Sequence, residues 1–343
     1  MPINIIKKIY INNPFRLKEK NLLIRLYCAW EPRFITSIFR PFHYLQYALF
    51  LTGRLYGYKR LLKNKYSLLR AETSKGQSFH IRDTNSQFHS IYFKDFIECY
   101  EPDVSGVIEL FLSPGDTFID IGSNWGHHSF VAALNKKAKV ILFEPNPNVC
   151  EDALRITKEL GLESSVILHN LALSNKQGSL TLTQNYFESG IASISKSFIT
   201  KKIFNNKYDQ LIKKIFNLRP ISYSVPVQQL DYFSLNKADL IKIDAEGVEL
   251  EVLQGALSTI KKLRPLIIFE FFPSNSNEFV NFKSFFATVS YTAYTIKCDR
   301  DFSGNYLFRL SDIDEKNTNF VPQSNLLAFP NEKNIEVLMD DKV

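Results

Sequence analysis

An acidic residue and two glycines within residues 120–126 form the part of this sequence best suited to bind a small molecule. The segment reads Asp-Ile-Gly-Ser-Asn-Trp-Gly and overlaps Thr117–Ile121, a β-branched and aromatic run typical of a buried strand. Gly122 and Gly126 permit a tight turn and let the backbone approach a ligand without an intervening Cβ. An apolar helix is predicted next, and its free N–H groups would point back at the turn. An ordinary strand-turn-helix connection is the alternative interpretation.

A carboxylate at the end of the next predicted strand favours the binding interpretation. Residues 139–143 form a second apolar run, which ends at Glu144. In α/β nucleotide sites, a carboxylate about 20 residues after the glycine turn accepts hydrogen bonds from ribose hydroxyls. The turn lacks the G-x-G-x-x-G spacing of NAD enzymes. The residues therefore favour S-adenosylmethionine over a dinucleotide.

Four segments together resemble one known family. They are D-I-G-S-N-W-G-H-H-S at 120–129, F-E-P-N-P at 143–147, G-I-A-S-I at 190–194 and L-I-K-I-D-A-E-G-V-E-L-E-V-L-Q-G-A at 240–256. Over residues 79–330 the chain resembles the FkbM family of S-adenosylmethionine-dependent methyltransferases. The resemblance implies the α/β, Rossmann-like class I methyltransferase fold, with a mostly parallel seven-stranded sheet and helices on both faces. It also implies methylation of sugar or polyketide hydroxyls.

The resemblance further implies which residues contact the cofactor. The expected cofactor-binding residues are Asp120, Gly122, Ser123, Asn124, Gly126, Glu144, Pro145, Asn146, Asn170 and Ala172. The residues of the glycine turn would surround the methionine portion of the cofactor. Glu144 would accept charge-assisted hydrogen bonds from the ribose, and Asn170 and Ala172 would face the adenine.

Acidic residues at the ends of two further predicted strands are candidates for the chemistry. Asp244 follows residues 240–243, and Glu270 follows residues 266–269. Parallel strands end at one edge of a sheet, so both side chains are expected near the glycine turn. A hydroxyl that receives a methyl group must release its proton. Asp244 is the first candidate to accept that proton, with Glu246 and Glu270 behind it.

Histidine and metal chemistry are alternatives at the same site. His128 is a second candidate base, because the pKa of histidine suits proton transfer without tuning. The alternative is that His127 and His128 both pack at the start of the helix. Oxygen ligands from the three acidic candidates could also hold Mg²⁺. No dedicated metal-ligand spacing is present, so no metal is expected.

The cysteines and apolar runs favour a cytoplasmic protein. The four cysteines lie far apart and include no C-x-x-C pair, so neither a disulfide framework nor a zinc site is indicated. We find no signal-peptide pattern. We also find no apolar run of about 18 residues that could span a membrane.

The positive charge is concentrated at the start of the chain. Residues 1–75 contain 15 lysines and arginines against 3 glutamates, whereas the other residues contain 27 basic against 32 acidic residues. These residues are also rich in aromatics and are predicted to be helical, a combination typical of a segment that lies on an anionic membrane surface. A helical cap packed on the core is the alternative. No nucleic-acid-binding module is recognised, so no nucleic-acid partner is expected.

The predicted organisation has three parts: a helical extension at 1–78, a methyltransferase domain at 79–330 and a tail at 331–343. A basic insertion at about 195–223 is either a lid over the acceptor pocket or a solvated loop, and its charge would suit an acidic acceptor. We expect a methyltransferase that acts on a hydroxyl of a glycan or lipid-linked glycan, in the cytoplasm or peripherally on the inner face of the membrane. The alternatives are an N- or carboxyl-methyltransferase of a metabolite or protein, and a non-catalytic membrane adaptor.

Overall fold

The chain is seen in a computed structural model that describes residues 4–12, 14–17, 66, 68–82, 85, 87–88, 99–185, 188–193, 221–271, 276–301, 304–313 and 324–335. Its strands are β1 (Asn4–Ile9), β2 (Phe15–Leu17), β3 (Leu68–Thr73), β4 (Ser78–Arg82), β5 (Thr117–Ile121), β6 (Lys139–Phe143), β7 (Val166–His169), β8 (Ala172–Leu173), β9 (Gly178–Asn185), β10 (Glu188–Ser193), β11 (Ile221–Gln228), β12 (Leu240–Ile243), β13 (Leu266–Phe271), β14 (Tyr291–Arg300), β15 (Tyr306–Asp312) and β16 (Ser324–Pro330). Its α-helices are α1 (Pro102–Phe111), α2 (His127–Asn135), α3 (Pro147–Glu159), α4 (Glu249–Gly255), α5 (Leu257–Leu263) and α6 (Ser276–Thr288), and a 3₁₀ helix spans Leu230–Phe233.

One large sheet organises the fold. Within the described residues it has nine strands, in the order β1-β15-β14-β16-β13-β12-β5-β6-β7. The five strands from β13 to β7 pair in parallel, and the other pairings are antiparallel. The predicted class I methyltransferase fold is confirmed, but the predicted number of seven strands is wrong, because β15 and β1 extend one edge of the sheet.

The central strands are buried because both faces of the sheet are covered. Every residue of β5 and β12 is buried, as expected of parallel strands between two layers of helices. On one face, α1, α2 and α3 pack on the sheet, and on the other face α4, α5 and α6 do so. These strands can therefore present polar groups to a ligand only at their ends.

The point where the strand order reverses lies between β5 and β12. From β5 the chain moves outward through β6 and β7, and it later returns to place β12 on the other side of β5. Open α/β sheets bind ligands in the crevice at the carboxyl ends of the strands at such a point. The fold therefore places a crevice beside the glycine turn after β5.

The start of the chain departs from the helical prediction. Residues 4–9 form a strand that pairs antiparallel with β15, and Ile5 and Ile9 are more buried than Ile6 and Lys8. This alternation with a period of two is the signature of a half-buried strand, and sequence analysis overlooked it. Strands β2 and β3, from the same segment, form a separate three-stranded sheet with β4. Residues 18–65, which carry most of the basic and aromatic side chains, lie outside the described residues.

Two further segments differ from what their sequences predict. Residues 225–228 are predicted to be a strand of the main sheet, but they belong to β11, which joins a separate four-stranded sheet of order β10-β9-β11-β8. Apolar residues at helical spacing predict one helix from residue 247 to about residue 262, but this segment is divided into α4 and α5 at Ala256. Residues 194–220, which include most of the predicted basic insertion, lie outside the described residues. No helix in the described part of the chain is long and apolar enough to cross a membrane.

Candidate active site

The glycine turn is wedged between the ends of β6 and β12. The backbone N–H groups of Gly122 and Ser123 donate to the carbonyl oxygen of Phe143, at 2.9 and 3.2 Å. Gly122 has a φ of 72°, and a Cβ on it would lie 1.8 Å from the carbonyl oxygen of Asp244. Only glycine fits there, because the chain that follows β12 passes directly over it. Gly126 also has a positive φ, of 92°, immediately before α2.

Glu144 points back at this turn from the end of β6. One carboxylate oxygen accepts the backbone N–H of Asn124 at 2.8 Å, and the other accepts that of Asn146 at 2.7 Å. The residue is only 7% exposed. Burial raises the pKa of Glu144 to about 7, although the two N–H groups act in the opposite direction. The predicted proximity of this carboxylate to the turn is present in the fold.

Two asparagines of the predicted cofactor set, Asn146 and Asn170, hold the Glu144 loop in place. The Asn146 side chain accepts the backbone N–H of Asn148 at 3.1 Å and so caps α3. The Asn170 side chain donates to the carbonyl oxygens of Glu144 and Pro145, at 2.8 and 3.2 Å. Asn170 thus shapes the loop, and its contact with adenine stays a prediction.

The structure places Ala172 in the core of the small sheet. It is a residue of β8, pairs with Val227 of β11 and is 4% exposed. Its side chain belongs to a buried cluster with Leu182 and Val225. The methyl group of Ala172 therefore packs between strands. Its predicted contact with adenine remains untested.

A buried lysine joins two of the predicted acidic residues beneath the turn. The Nζ atom of Lys242 lies 3.1 Å from Asp244 Oδ2 and 3.6 Å from Asp120 Oδ1. Asp120 also accepts the hydroxyl of Ser129 at 2.7 Å. Burial would lower the pKa of Lys242, but the charges of Asp244 and Asp120 raise it above its ordinary value. Lys242 therefore stays protonated and holds the ends of β5 and β12 together.

The loop after β12 is held by Glu249. One carboxylate oxygen of Glu249 accepts the backbone N–H groups of Ala245 and Gly247, both at 3.0 Å. Burial raises the pKa of Glu249 to about 7. Glu246 is half-buried in this loop, in a left-handed conformation with a φ of 52°. The side chain of Asp244, at the start of this loop, is 26% exposed.

Glu270 lies next to Asp244 by register. Ile243 of β12 pairs with Phe269 of β13, and Asp244 and Glu270 each follow one member of that pair. Glu270 is half-buried and pairs through its backbone with Asn325 of β16. The backbone positions of Asp244 and Glu270 are therefore on neighbouring strands, and a joint role of their carboxyl groups stays a prediction.

Both histidines pack at the start of α2. His127 and His128 are 3% and 4% exposed. Burial keeps the pKa of His127 well below its ordinary value. The Nε2 atom of His128 lies 2.9 Å from Glu101 Oε2, and the ring of Tyr100 stacks on the His128 imidazole at 5.7 Å. His128 is therefore an internal partner of Glu101.

Among the residues that the structure describes, no group of three His, Cys, Asp or Glu side chains is placed to hold a metal ion.

Comparison with known families identifies the domain that carries this site. A model of the Methyltransferase FkbM domain matches residues 120–296, just over half of the 343 residues. The chain belongs to the FkbM methyltransferase family. The matched region begins at Asp120 and contains the glycine turn, Glu144, Asp244 and Glu270. The resemblance seen in the sequence motifs is confirmed.

Two characterised relatives match part of this FkbM methyltransferase. Hexuronic acid methyltransferase AglP of Haloferax volcanii is 28% identical over 156 residues, with 45% of this chain and 55% of AglP covered. Methyltransferase sdnD of Sordaria araneosa is 30% identical over 166 residues, with 41% of this chain and 61% of that relative covered. The chain therefore spans less than two thirds of the length of either relative.

Solved structures resemble this FkbM methyltransferase more distantly. The crystal structure of methyltransferase FkbM from Methylobacillus flagellatus KT is 14% identical, with 64% of this chain and 47% of that chain covered and a TM-score of 0.37. The structure of M. jannaschii TYW2 in complex with AdoMet is 11% identical, with 77% and 86% covered and a TM-score of 0.35.

Three residues of this FkbM methyltransferase site were not singled out from the sequence as candidate site residues. They are Glu101, Lys242 and Glu249, and each is defined by a partner that only the fold supplies. Glu249 occupies the first turn of α4, where a carboxylate is favoured by the free N–H groups. This position could have been recognised from the sequence. Two local signals were available: Asp244 lies only two residues from Lys242, and Glu101 belongs to a Tyr-Glu-Pro motif that resembles the family, whereas Asp120 and His128 lie on other elements.

Proposed function

We propose that this chain transfers a methyl group from S-adenosylmethionine to a hydroxyl oxygen of a sugar in a glycan or lipid-linked glycan. Family membership supports methyl transfer. The observation that carries the cofactor assignment is the 2.8 Å hydrogen bond from the Asn124 backbone to Glu144. It places a carboxylate for ribose hydroxyls beside a turn whose Gly122 has no room for a Cβ.

The residues present fit the cofactor. A carboxylate offers about four lone-pair sites, and Glu144 uses one on each oxygen for the backbone of Asn124 and Asn146. One site remains on each oxygen, which matches the two neighbouring hydroxyls of a ribose. The acidic residues at this edge also suit a ligand that carries positive charge.

The chemistry requires little beyond positioning and a place for one proton. S-adenosylmethionine, when bound, supplies an electrophilic methyl group on a sulfonium. The chain must align the acceptor oxygen with that methyl group, and positioning of this kind contributes roughly 7–11 kcal/mol. The acceptor hydroxyl must lose its proton to a carboxylate at this edge of the sheet, where Asp244 lies.

An acidic sugar is the acceptor that we favour. AglP is named as a hexuronic acid methyltransferase. The basic residues concentrated at 1–75, together with the basic insertion at about 195–223, would attract anionic glycans. A methyl ether on a hydroxyl of such a sugar is the expected product.

Calorimetric titration with S-adenosylhomocysteine tests the cofactor assignment. We expect binding to the wild-type chain and a loss of about tenfold or more in affinity in Glu144→Gln, because ribose bonds to a charged partner are replaced by weaker ones. NAD should not bind. Binding of NAD without S-adenosylhomocysteine would support a dinucleotide enzyme, and binding of neither would support a non-catalytic adaptor.

A methyl-transfer assay tests the acceptor. Labelled S-adenosylmethionine is offered with oligosaccharides that end in a hexuronic acid or in a neutral hexose. We expect label on the hexuronic acid in a form that survives mild base. Label that mild base removes would indicate a carboxyl ester instead of an ether. Mass spectrometry of cell-envelope glycans, with and without the protein, should show the loss of one CH₂ increment.

Membrane contact remains a proposal that rests on composition alone. Deletion of residues 1–75 would be a poor test, because it would also remove β1 and β3. A better variant replaces Arg54, Lys59, Arg60, Lys63 and Lys65 with glutamine. If these residues lie on an anionic surface, each substitution should cost about 1 kcal/mol of vesicle binding. Equal binding of the wild type and this variant to anionic vesicles would contradict the proposal.

A further inference from the structure

Glu101 has an unusual backbone at the start of α1. Its φ of 41° and ψ of 68° are left-handed, although it is not glycine and Pro102 follows it. A residue before proline favours extended backbone, so this conformation is costly and must be maintained by its surroundings. Strained positions of this kind cluster at functional sites.

Helix capping does not account for the Glu101 side chain. Glu101 occupies the capping position of α1, but its carboxylate makes no capping hydrogen bond to that helix. The carboxylate instead lies 2.9 Å from the Nε2 atom of His128. The Nδ1 atom of His128 is buried and has no hydrogen-bond partner among the described residues. Within the described residues, the His128 imidazole therefore hydrogen-bonds through Nε2 to Glu101 alone.

The pair has one buried and one open end. The His128 side chain is 4% exposed, whereas that of Glu101 is 31% exposed. Tyr100 stacks on His128 and also meets the edge of His127, which fixes the imidazole in place. The Glu101 carboxylate is therefore open to solvent, while its partner His128 is fixed in position.

The pair lies next to the glycine turn, because His128 is the second residue of α2 and Gly126 immediately precedes that helix. Burial would raise the pKa of Glu101, but the hydrogen bond with His128 and the charges of His128 and Lys242 lower it to about 2. Burial and the charge of Glu101 raise the pKa of Tyr100 well above its ordinary value, and the charge of Asp244 contributes. Glu101 is therefore ionised at neutral pH beside the turn.

Asp244 is less suited to take a proton than sequence analysis suggested. Its carboxylate lies 3.1 Å from Lys242, which it shares with Asp120. Protonation of Asp244 would leave the buried lysine with a weaker partner, which is costly. The carboxylate of Glu101 is instead hydrogen-bonded to the imidazole of His128, and that ring can share charge with the carboxylate.

We infer that Glu101 is the catalytic residue that binds the acceptor hydroxyl and takes its proton, with His128 as its positioning residue. The inference rests on the proposed methyl transfer. A lone pair of the hydroxyl oxygen forms the new O–C bond, the S–C electron pair stays on sulfur, and the hydroxyl proton passes to Glu101. A weakly basic carboxylate is sufficient, because the oxygen becomes strongly acidic as it gains the methyl group.

Cofactor analogues test this placement without knowledge of the acceptor. Sinefungin carries an amine-bearing carbon in place of the methylated sulfur, whereas S-adenosylhomocysteine has a neutral sulfur. We expect Glu101→Gln to weaken sinefungin binding about tenfold, through loss of a charge-assisted bond, and S-adenosylhomocysteine binding less than about twofold. Glu109→Gln is the matched control, since Glu109 lies on the same helix, pairs with Lys136 at 3.2 Å and is 32% exposed. It should change neither affinity.

The outcomes separate the two proposals. Absence of S-adenosylhomocysteine binding to the wild type overturns the proposed function itself. Normal binding of both analogues to Glu101→Gln, with a selective loss of sinefungin binding in Asp244→Asn, overturns the role of Glu101.

A kinetic experiment extends the test to turnover with a hexuronic acid acceptor. We expect Glu101→Gln to lower kcat about 10²-fold or more with little change in KM for S-adenosylmethionine. His128→Asn should lower kcat less and should leave S-adenosylhomocysteine affinity unchanged. A purely structural pair would instead lower the melting temperature and both affinities together.

Discussion

At the scale of single residues, the site depends on buried acids whose ionisation is set by their surroundings. Glu144 is the clearest case, because burial raises its pKa to about 7 from an ordinary 4.5. The folded chain therefore retains this proton more tightly than the unfolded chain does. Its contribution to stability is greatest below pH 4.5 and is lost as the pH rises through about 7.

We expect the affinity for S-adenosylhomocysteine to rise between about pH 6 and pH 8, because the ionised form of Glu144 accepts ribose hydroxyls better than the protonated form. Calorimetry across this range measures the effect. Glu144→Gln should bind more weakly and should lack this rise. A pH dependence of equal size in the variant would show that another group, such as Glu249, causes it.

A second prediction at this scale concerns Gly122. In Gly122→Ala the new methyl group would lie 1.8 Å from the Asp244 carbonyl oxygen, so the turn and the β12 loop must separate. We expect a destabilisation of about 3 kcal/mol or more, from a clash added to a left-handed backbone, and weaker S-adenosylhomocysteine binding. Gly115→Ala is a matched control, since its φ is 86° and nothing lies within 4 Å of the added Cβ. The control should cost about 1 kcal/mol. Equal melting temperatures for the two variants would contradict this account.

At the scale of elements, the decisive contact is the one between β5 and β12. Their backbones pair in parallel, and their ends are joined by Lys242 between Asp120 and Asp244. Because the strand order reverses here, this contact determines whether the crevice keeps its shape. The same lysine acts on Glu101, so the β5–β12 contact also affects the second carboxylate of the site.

Lys242→Met should destabilise the chain by about 3–5 kcal/mol near neutral pH, because two carboxylates lose their buried cation. Chemical denaturation measures the loss. Lys237→Met is the control, since Lys237 is 51% exposed and pairs with Asp116 at the surface. It should cost less than about 1 kcal/mol. A Lys242 variant with wild-type stability would refute this role.

At the scale of the whole molecule, a buried arginine attaches the three-stranded sheet to the methyltransferase body. Arg82 of β4 donates to the carbonyl oxygen of Asn148 at 2.7 Å and also pairs with Glu151 of α3. It lies 3.7 Å from Asp152, and the two side chains are 5% and 2% exposed. Helix α3, which follows Glu144, is therefore the platform on which β4 rests.

Arg82→Met should loosen this attachment, because Asp152 would keep a buried charge with less compensation. We expect a loss of about 3 kcal/mol and faster hydrogen exchange across residues 68–82, measured by mass spectrometry. Arg70→Met is the control on the neighbouring strand, since Arg70 is 58% exposed and contacts Glu72 and Ser78 at the surface. Unchanged exchange in the Arg82 variant would show that other contacts hold the sheet.

The sequence by itself determined the parts of this protein that depend on local chemistry. An apolar run followed by glycines specifies β5 and its turn, and a second run ending in Glu144 specifies the neighbouring acid, because parallel strands end at the same edge. The boundaries of β12 follow from the same kind of local pattern. The motifs sufficed to identify the FkbM family.

Only the tertiary structure decided which distant groups meet. The sequence of residues 4–9 does not indicate that the edge of β15 is available for pairing. The strand β1, which brings the large sheet to nine strands, was therefore not predicted. The contacts of Glu101 with His128 and of Lys242 with Asp120 join segments that are far apart in the chain. Their energies arise from burial and charge pairing that exist only after the layers have packed.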